Sequence, residues 1–216
     1  MTKKPVNVFL SFYTKNLHRY LSKLPAFSLF DIEAFNLLEK FSARDCELWV
    51  HTNIEFLSGL ECLAVAISLG RKNDFSQIEN TKKISKYFYN CIVQNEHKKD
   101  KQDQIYLAYL GLSICHFESS LESGDISKQR KELKIAEHYL HEASLYFDAK
   151  EITDLYHTLY QAALGEVEKA IWHISRASKV TSAPRAYYEV LEFAYNKLKM
   201  KNVALFYRNR IERLVA

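Results

Sequence analysis

Two histidines three residues apart, His138 and His141, flanked by Glu137 and Glu142, come nearest in this sequence to a metal-binding cluster. Both imidazoles could share one helix face, but a zinc site needs three or four ligands in closed geometry. No His-Glu-x-x-His occurs, and no cysteine stands at a spacing that completes the set. The four cysteines, Cys46, Cys62, Cys91 and Cys115, lie 16, 29 and 24 positions apart. Without a Cys-x-x-Cys, neither a zinc ribbon nor a thioredoxin-like pair is signalled, and buried reduced thiols are expected. Cys115–His116 is the one adjacent Cys-His pair. A nucleophile and its base must bring their side chains together, which neighbouring positions on a helix do poorly. Five scattered glycines supply no phosphate-cradling loop and no nucleophile elbow. The residues therefore point to a non-enzymatic protein with no cofactor and no metal.

The 216 residues are 48% hydrophobic and 13% aromatic, the make-up of a packed globular chain. With five Gly and three Pro, the chain lacks the turn residues a β protein of this size requires. An all-α fold of about ten or eleven helices is expected. Helices are predicted over Val6–Lys23, Leu29–Phe41, from a Ser42/Asp45 capping box onward, and over Leu60–Leu69 between Gly59 and Gly70. A further capping box, Ser76 with Glu79, opens the next one. The polar run 95–103 (NEHKKDKQD) is predicted as an exposed loop that divides residues 1–95 from residues 104–216. Beyond it, helices are predicted at 104–122, up to 147, and at 151–164, 166–180, 184–198 and 201–214. Lys3 and Lys4 before Val6–Tyr13 only superficially resemble a signal peptide, since Asn7, Ser11 and Lys15 break the run. The longest apolar stretch, Phe56–Leu69, is too short to span a bilayer. A cytoplasmic protein is expected.

Internal self-similarity is the strongest signal, and its period is 34: Ala136, Ala170 and Ala204 recur at that interval, as do Ala143, Ala177 and Ile211. Between them Leu140 matches Ile174, and His138, Trp172 and Phe206 form an aromatic column. Small residues seven apart let helix axes approach to about 8–10 Å, while the large residue between them fills the groove. On this reading His138 is a packing residue.

The pattern resembles the tetratricopeptide repeat, whose second helix reads A-x3-F-x2-A and whose first reads roughly W-x2-L-G-x2-Y. Gly165–Glu166–Val167–Glu168–Lys169–Ala170 looks like the family's turn and second-helix start. Tyr188, Leu191 and Tyr195 fall in the last repeat's first-helix columns, and Leu107, Leu110, Gly111 and Ile114 in those of the earliest. Pro184 is displaced by two from the family's inter-repeat Pro. Glu192 and Arg208 depart from the small and large apolar columns, as a solvent-facing cap would, and Gln161 replaces an aromatic. The first repeat needs an insertion around 119–131. The resemblance covers residues 104–214 and implies a right-handed helix-hairpin solenoid of three repeats. Residues 1–95 are either an N-terminal helical bundle or worn repeats, since Gly59 and Ala64 copy the offset of Gly165 and Ala170.

The resemblance also implies a function: binding a peptide or helix of another protein in a concave groove lined by first helices, as an adaptor, scaffold subunit or secretion-type chaperone. Carried over, the groove positions are Ile152, Leu155, Leu159 and Ala162 in the middle repeat, and Glu189, Phe193, Asn196 and Lys197 in the last. Glu189 and Phe193 stand where a Lys/Asn carboxylate clamp would be needed, which argues against a C-terminal-tail reader. Homo-oligomerisation is compatible with this surface. The net charge is +4, and from Lys179 onward eight cations face three carboxylates. Lys197, Lys199, Lys201, Arg208, Arg210 and Arg213 form a candidate basic patch for nucleic acid or an acidic partner. The plainer reading of Arg210 and Arg213 is that they complement the dipole of the last helix.

Overall fold

The computed structural model describes residues 43–72, 78–146, 150–177 and 184–214, and their regular structure is entirely helical. The helices expected at Val6–Lys23 and Leu29–Phe41, and the capping residues Ser42 and Ser76, lie outside the described residues. Nine α-helices follow one another among the described residues: α1 Ala43–His51, α2 Gly59–Lys72, α3 Ile78–Asn95, α4 Gln102–Glu122, α5 Ile126–Tyr146, α6 Lys150–Leu164, α7 Val167–Ala177, α8 Pro184–Lys197 and α9 Lys201–Arg213. None of them is long and apolar enough to cross a membrane. The contacts gather the described residues into two compact units, 43–146 and 150–214.

The first unit is organised by α4. It carries apolar residues all round, so it must be enclosed, and nearly every side chain from Asp103 to Ser120 is buried. Helices α3 and α5 both pack on it. Gly111 is needed for one of these contacts: a Cβ there would run into the ring of Phe88 on α3. This enclosure also explains why the chain does not divide at the polar run 95–103. Lys99–Lys101 form a tight 3₁₀ turn, and at its two ends Asn95 Nδ2 donates to Gln104 Oε1 at 2.8 Å in a buried contact. The division lies after residue 146 instead, because α4 binds the helices on both sides of the turn.

Two glycines behave differently from the prediction. Ser58 and Glu61 form an unpredicted capping box, with the Ser58 backbone N–H donating to Glu61 Oε2 at 2.7 Å and the Glu61 N–H to Ser58 Oγ at 3.3 Å. Gly59 is thus the first helical residue of α2 and lacks the left-handed backbone of Gly165. Gly70 does not close the helix either, which continues to Lys72.

The second unit consists of the α6–α7 and α8–α9 hairpins, with α8 packed also on α6. Ala162, Ala170 and Ala194 from α6, α7 and α8 form one buried cluster closed by Leu198. Three small side chains at one point let three helices meet closely. Both hairpins turn in the same way. At φ 79° Gly165 ends α6, with its N–H donating to Ala162 O and that of Glu166 to Gln161 O at 3.1 and 2.9 Å. At φ 61° Lys199 ends α8 with the equivalent bonds, Lys199 N–H to Asn196 O and Met200 N–H to Tyr195 O at 3.1 and 2.9 Å. The two turns are 34 residues apart, so the repeat extends to the backbone. In the first unit α5 instead begins ten residues before Ala136, whereas α7 and α9 begin three residues before Ala170 and Ala204.

Lys199 holds a conformation that glycine adopts without steric cost. Lys199→Gly should stabilise the protein by about 1 kcal/mol, and Lys199→Val should destabilise it by at least that much. Urea unfolding of both variants measures the difference.

Candidate partner-binding face

The residues expected to line a groove are divided by the structure. Leu155, Leu159 and Ala162 retain only 1%, 0% and 2% of their surface, because α6 is packed against both α7 and α8. They are core residues rather than an open wall, which corrects their expected place. Ile152 lies in α6, but its side chain is outside the described residues. Glu189 and Phe193 are half-buried, whereas Asn196 and Lys197 are exposed. Lys197 Nζ sits 5.4 Å from the Phe193 ring centroid.

The expected basic patch also separates. Lys197, Lys199 and Lys201 cluster at the α8–α9 turn and are exposed. Arg213 lies twelve residues beyond Lys201 on α9, about 18 Å along the helix axis. Arg208 is neutralised by Glu192, with Nη2 at 2.6 Å from Oε1. Arg208 of α9 and Glu192 of α8 thus pair with each other across the last hairpin.

The second-helix columns reveal a different surface. Ala136, Leu140 and Ala143, then Ala170, Ile174 and Ala177, and finally Ala204 are all buried. The column His138, Trp172 and Phe206 is exposed, with Trp172 at 53% and Phe206 at 51%. This overturns the packing role given to His138 and its column. The reason is helix geometry: at about 100° per residue, steps of four and seven return to the inward face, while a step of two points away from it. Ile171 and Leu205, one position earlier in the same register, are exposed too.

Each outward ring of the second unit is held in the same manner. Trp172 has the edge of His173 at 4.7 Å and 81°, and the Arg176 guanidinium 4.5 Å from its centroid. Phe206 has Tyr207 at 5.2 Å and 84°, and Arg210 at 5.1 Å. The supporting column, Tyr139, His173 and Tyr207, also repeats every 34 residues, and each member stacks on a ring of the preceding helix. The partners are His116 at 5.4 Å, His157 at 4.7 Å and Tyr195 at 5.7 Å. Sequence reasoning missed this column although the same interval would have exposed it.

Asp154 on α6 fixes the Trp172 surround. Its Oδ1 accepts from His173 Nδ1 at 2.8 Å and its Oδ2 from Arg176 Nε at 2.9 Å. A carboxylate orienting an imidazole can serve general-base chemistry, but here both oxygens are used to join α7 to α6. Among the described residues no group of three His, Cys, Asp or Glu side chains is placed to hold a metal. Cys115 is buried, and that burial pushes its thiol up to about 12. His116 turns elsewhere, with Nδ1 2.7 Å from Glu132 Oε2. Burial raises the Cys62 and Cys91 thiols as well.

Asp154 is buried and Glu192 partly exposed, so the two hairpin clamps should differ in strength. Replacing Arg176 and His173 together by Ala strands a buried carboxylate and should destabilise by about 3 kcal/mol. Removing Arg208 should cost less than about 1 kcal/mol. Thermal and urea denaturation of the two variants provides the comparison. Set against family models, curated proteins and solved structures, the chain matches none of them.

Proposed function

We propose that this chain is a non-enzymatic protein-interaction module of the tetratricopeptide type, acting as an adaptor, scaffold subunit or chaperone. The contact surface in this reading is the outward face of the second helices rather than a groove over Leu155, Leu159 and Ala162. One observation carries it: Ile171–Trp172 and Leu205–Phe206 are exposed apolar pairs at the same register of α7 and α9. Large apolar side chains left in water at matched positions are a feature of interaction surfaces. Trp172 and Phe206 are also pre-ordered by Arg176, His173, Arg210 and Tyr207, which lowers the entropy lost on binding. Buried aromatic anchors beside arginines are the usual carriers of binding energy. The partner suited to this face has an apolar ridge with acidic residues along its rim.

A Trp172→Asp, Phe206→Asp double variant should keep its helical circular dichroism, because both positions face outward. Its affinity for a partner captured by the wild-type chain should fall about thirtyfold or more. Equal capture by the folded double variant would remove this face from the account. The exposed Lys197, Lys199 and Lys201 at one turn favour a second reading, in which that turn binds nucleic acid. Affinity for a single-stranded oligonucleotide would then drop steeply with salt, and a flat response excludes it.

A further inference from the structure

The first unit contains a cleft that the repeat does not require. Helices α3 and α5 both pack on α4, but among the described residues they make no substantial contact with each other. The trough left between them has α4 as its floor. Leu112 and His116, four residues apart on that helix, lie under an opening of about 380 Å³. Its walls are Tyr89 and Lys86 of α3 and Tyr139 of α5, and Ile54 also lines it.

Aromatic rings continue along the trough. Tyr139 stacks on His116 at 5.4 Å and lies 6.1 Å from Tyr109, which stacks on Tyr146 at 5.7 Å. Tyr89, on the opposite wall, is 59% exposed. An opening with so exposed a wall cannot enclose a small molecule, which normally buries most of its surface. It can receive side chains from a polypeptide segment laid along it.

Charge gives the trough a direction. Lys86 lines it, and Lys82 and Lys83 lie one turn earlier on α3. All three are exposed, and none forms an ion pair among the described residues. Glu132 on α5 is paired with His116, which lines the trough together with Lys86. At the other end, burial raises the Tyr109 phenol, with Tyr146, Glu142 and Glu96 adding to the effect. Three exposed cations without an ion pair among the described residues thus stand at one end, and two carboxylates at the other.

We propose that this trough is a docking site for an acidic peptide segment bearing an aromatic or large aliphatic side chain. The apolar side chain enters between Tyr89 and Tyr139, and the acidic residues lie over Lys86, Lys82 and Lys83. The site is built from residues of the first unit alone, and the proposal does not rest on the α7 and α9 face.

Phage-displayed random dodecapeptides, selected on the full chain, provide the probe. The selected sequences should combine carboxylates with Trp, Phe, Tyr or Leu, and a synthetic consensus peptide should bind in a fluorescence-anisotropy titration. Lys86→Glu, an exposed substitution, should weaken that peptide about tenfold or more, and a peptide with lysine in place of its contacting carboxylate should regain the loss. Tyr89→Ala should weaken it as well. The Trp172→Asp, Phe206→Asp variant should bind it unchanged, so failure of one site is distinguishable from failure of the other. Selection of basic or uncharged sequences, or of none, overturns the proposal. So does a peptide indifferent to Lys86→Glu and Tyr89→Ala. Displacement of the peptide by a mononucleotide, or self-association of the chain abolished by Lys86→Glu, would assign the trough to another occupant and equally overturn it.

Discussion

Ala170 has no exposed surface, and it belongs to one buried cluster with Ala162 and Ala194. That meeting of three helices over small side chains constrains the rest of the second unit. A buried alanine fixes the rotation of its helix, so Ile174 and Ala177 must turn inward and Trp172 and Arg176 outward. The same rotation places His173 on the flank, where it reaches Asp154 and His157 of the preceding helix. In α9, Ala204 fixes Tyr207 against Tyr195 and leaves Phe206 exposed. A substitution that fills the alanine cluster would therefore rotate the outward face as well as loosen the core.

The polar contacts follow a second logic. Asp154 is buried and must be matched on both oxygens, because an unpaired carboxylate at such a site is costly. Matching it draws His173 and Arg176 onto α6, and Arg176 in turn lies over Trp172. A requirement of the interior thus orders a ring on the surface. In the last hairpin Arg208 stands at the position of Leu140 and Ile174 in the 34-residue interval, and its pairing with Glu192 at the partly exposed end needs no buried charge.

Much of this fold was legible in the sequence, and the exceptions have physical causes. Helices α6 to α9 agree with their predicted spans to within a few residues where described, because Gly165, Pro184 and the 34-residue columns mark them. The Ser58–Glu61 box is hidden in the sequence by Gly59, whose residue type signals a turn rather than a first helical position. The polar run 95–103 suggested a boundary, yet Asn95 and Gln104 satisfy each other in a buried contact that composition does not reveal. Lys199 hides the last hairpin's turn, since only its positive φ shows that it takes the place of Gly165. The groove residues were misplaced because the resemblance ranks positions by helix, whereas the packing of α8 on α6 decides which of them remain open. The trough of the first unit was not legible at all. It arises from two helices sharing a third, which no local pattern encodes.

Helices α7 and α9 present Trp172 and Phe206 outward while burying the columns beside them. Hydroxyl-radical footprinting of the full chain, read by mass spectrometry, tests this arrangement most directly. Trp172, Phe206 and Leu205 should oxidise rapidly, with Leu140 and Leu159 protected until the protein unfolds. Protection of Trp172 and Phe206 in the free chain, with oxidation of Leu159, would contradict it.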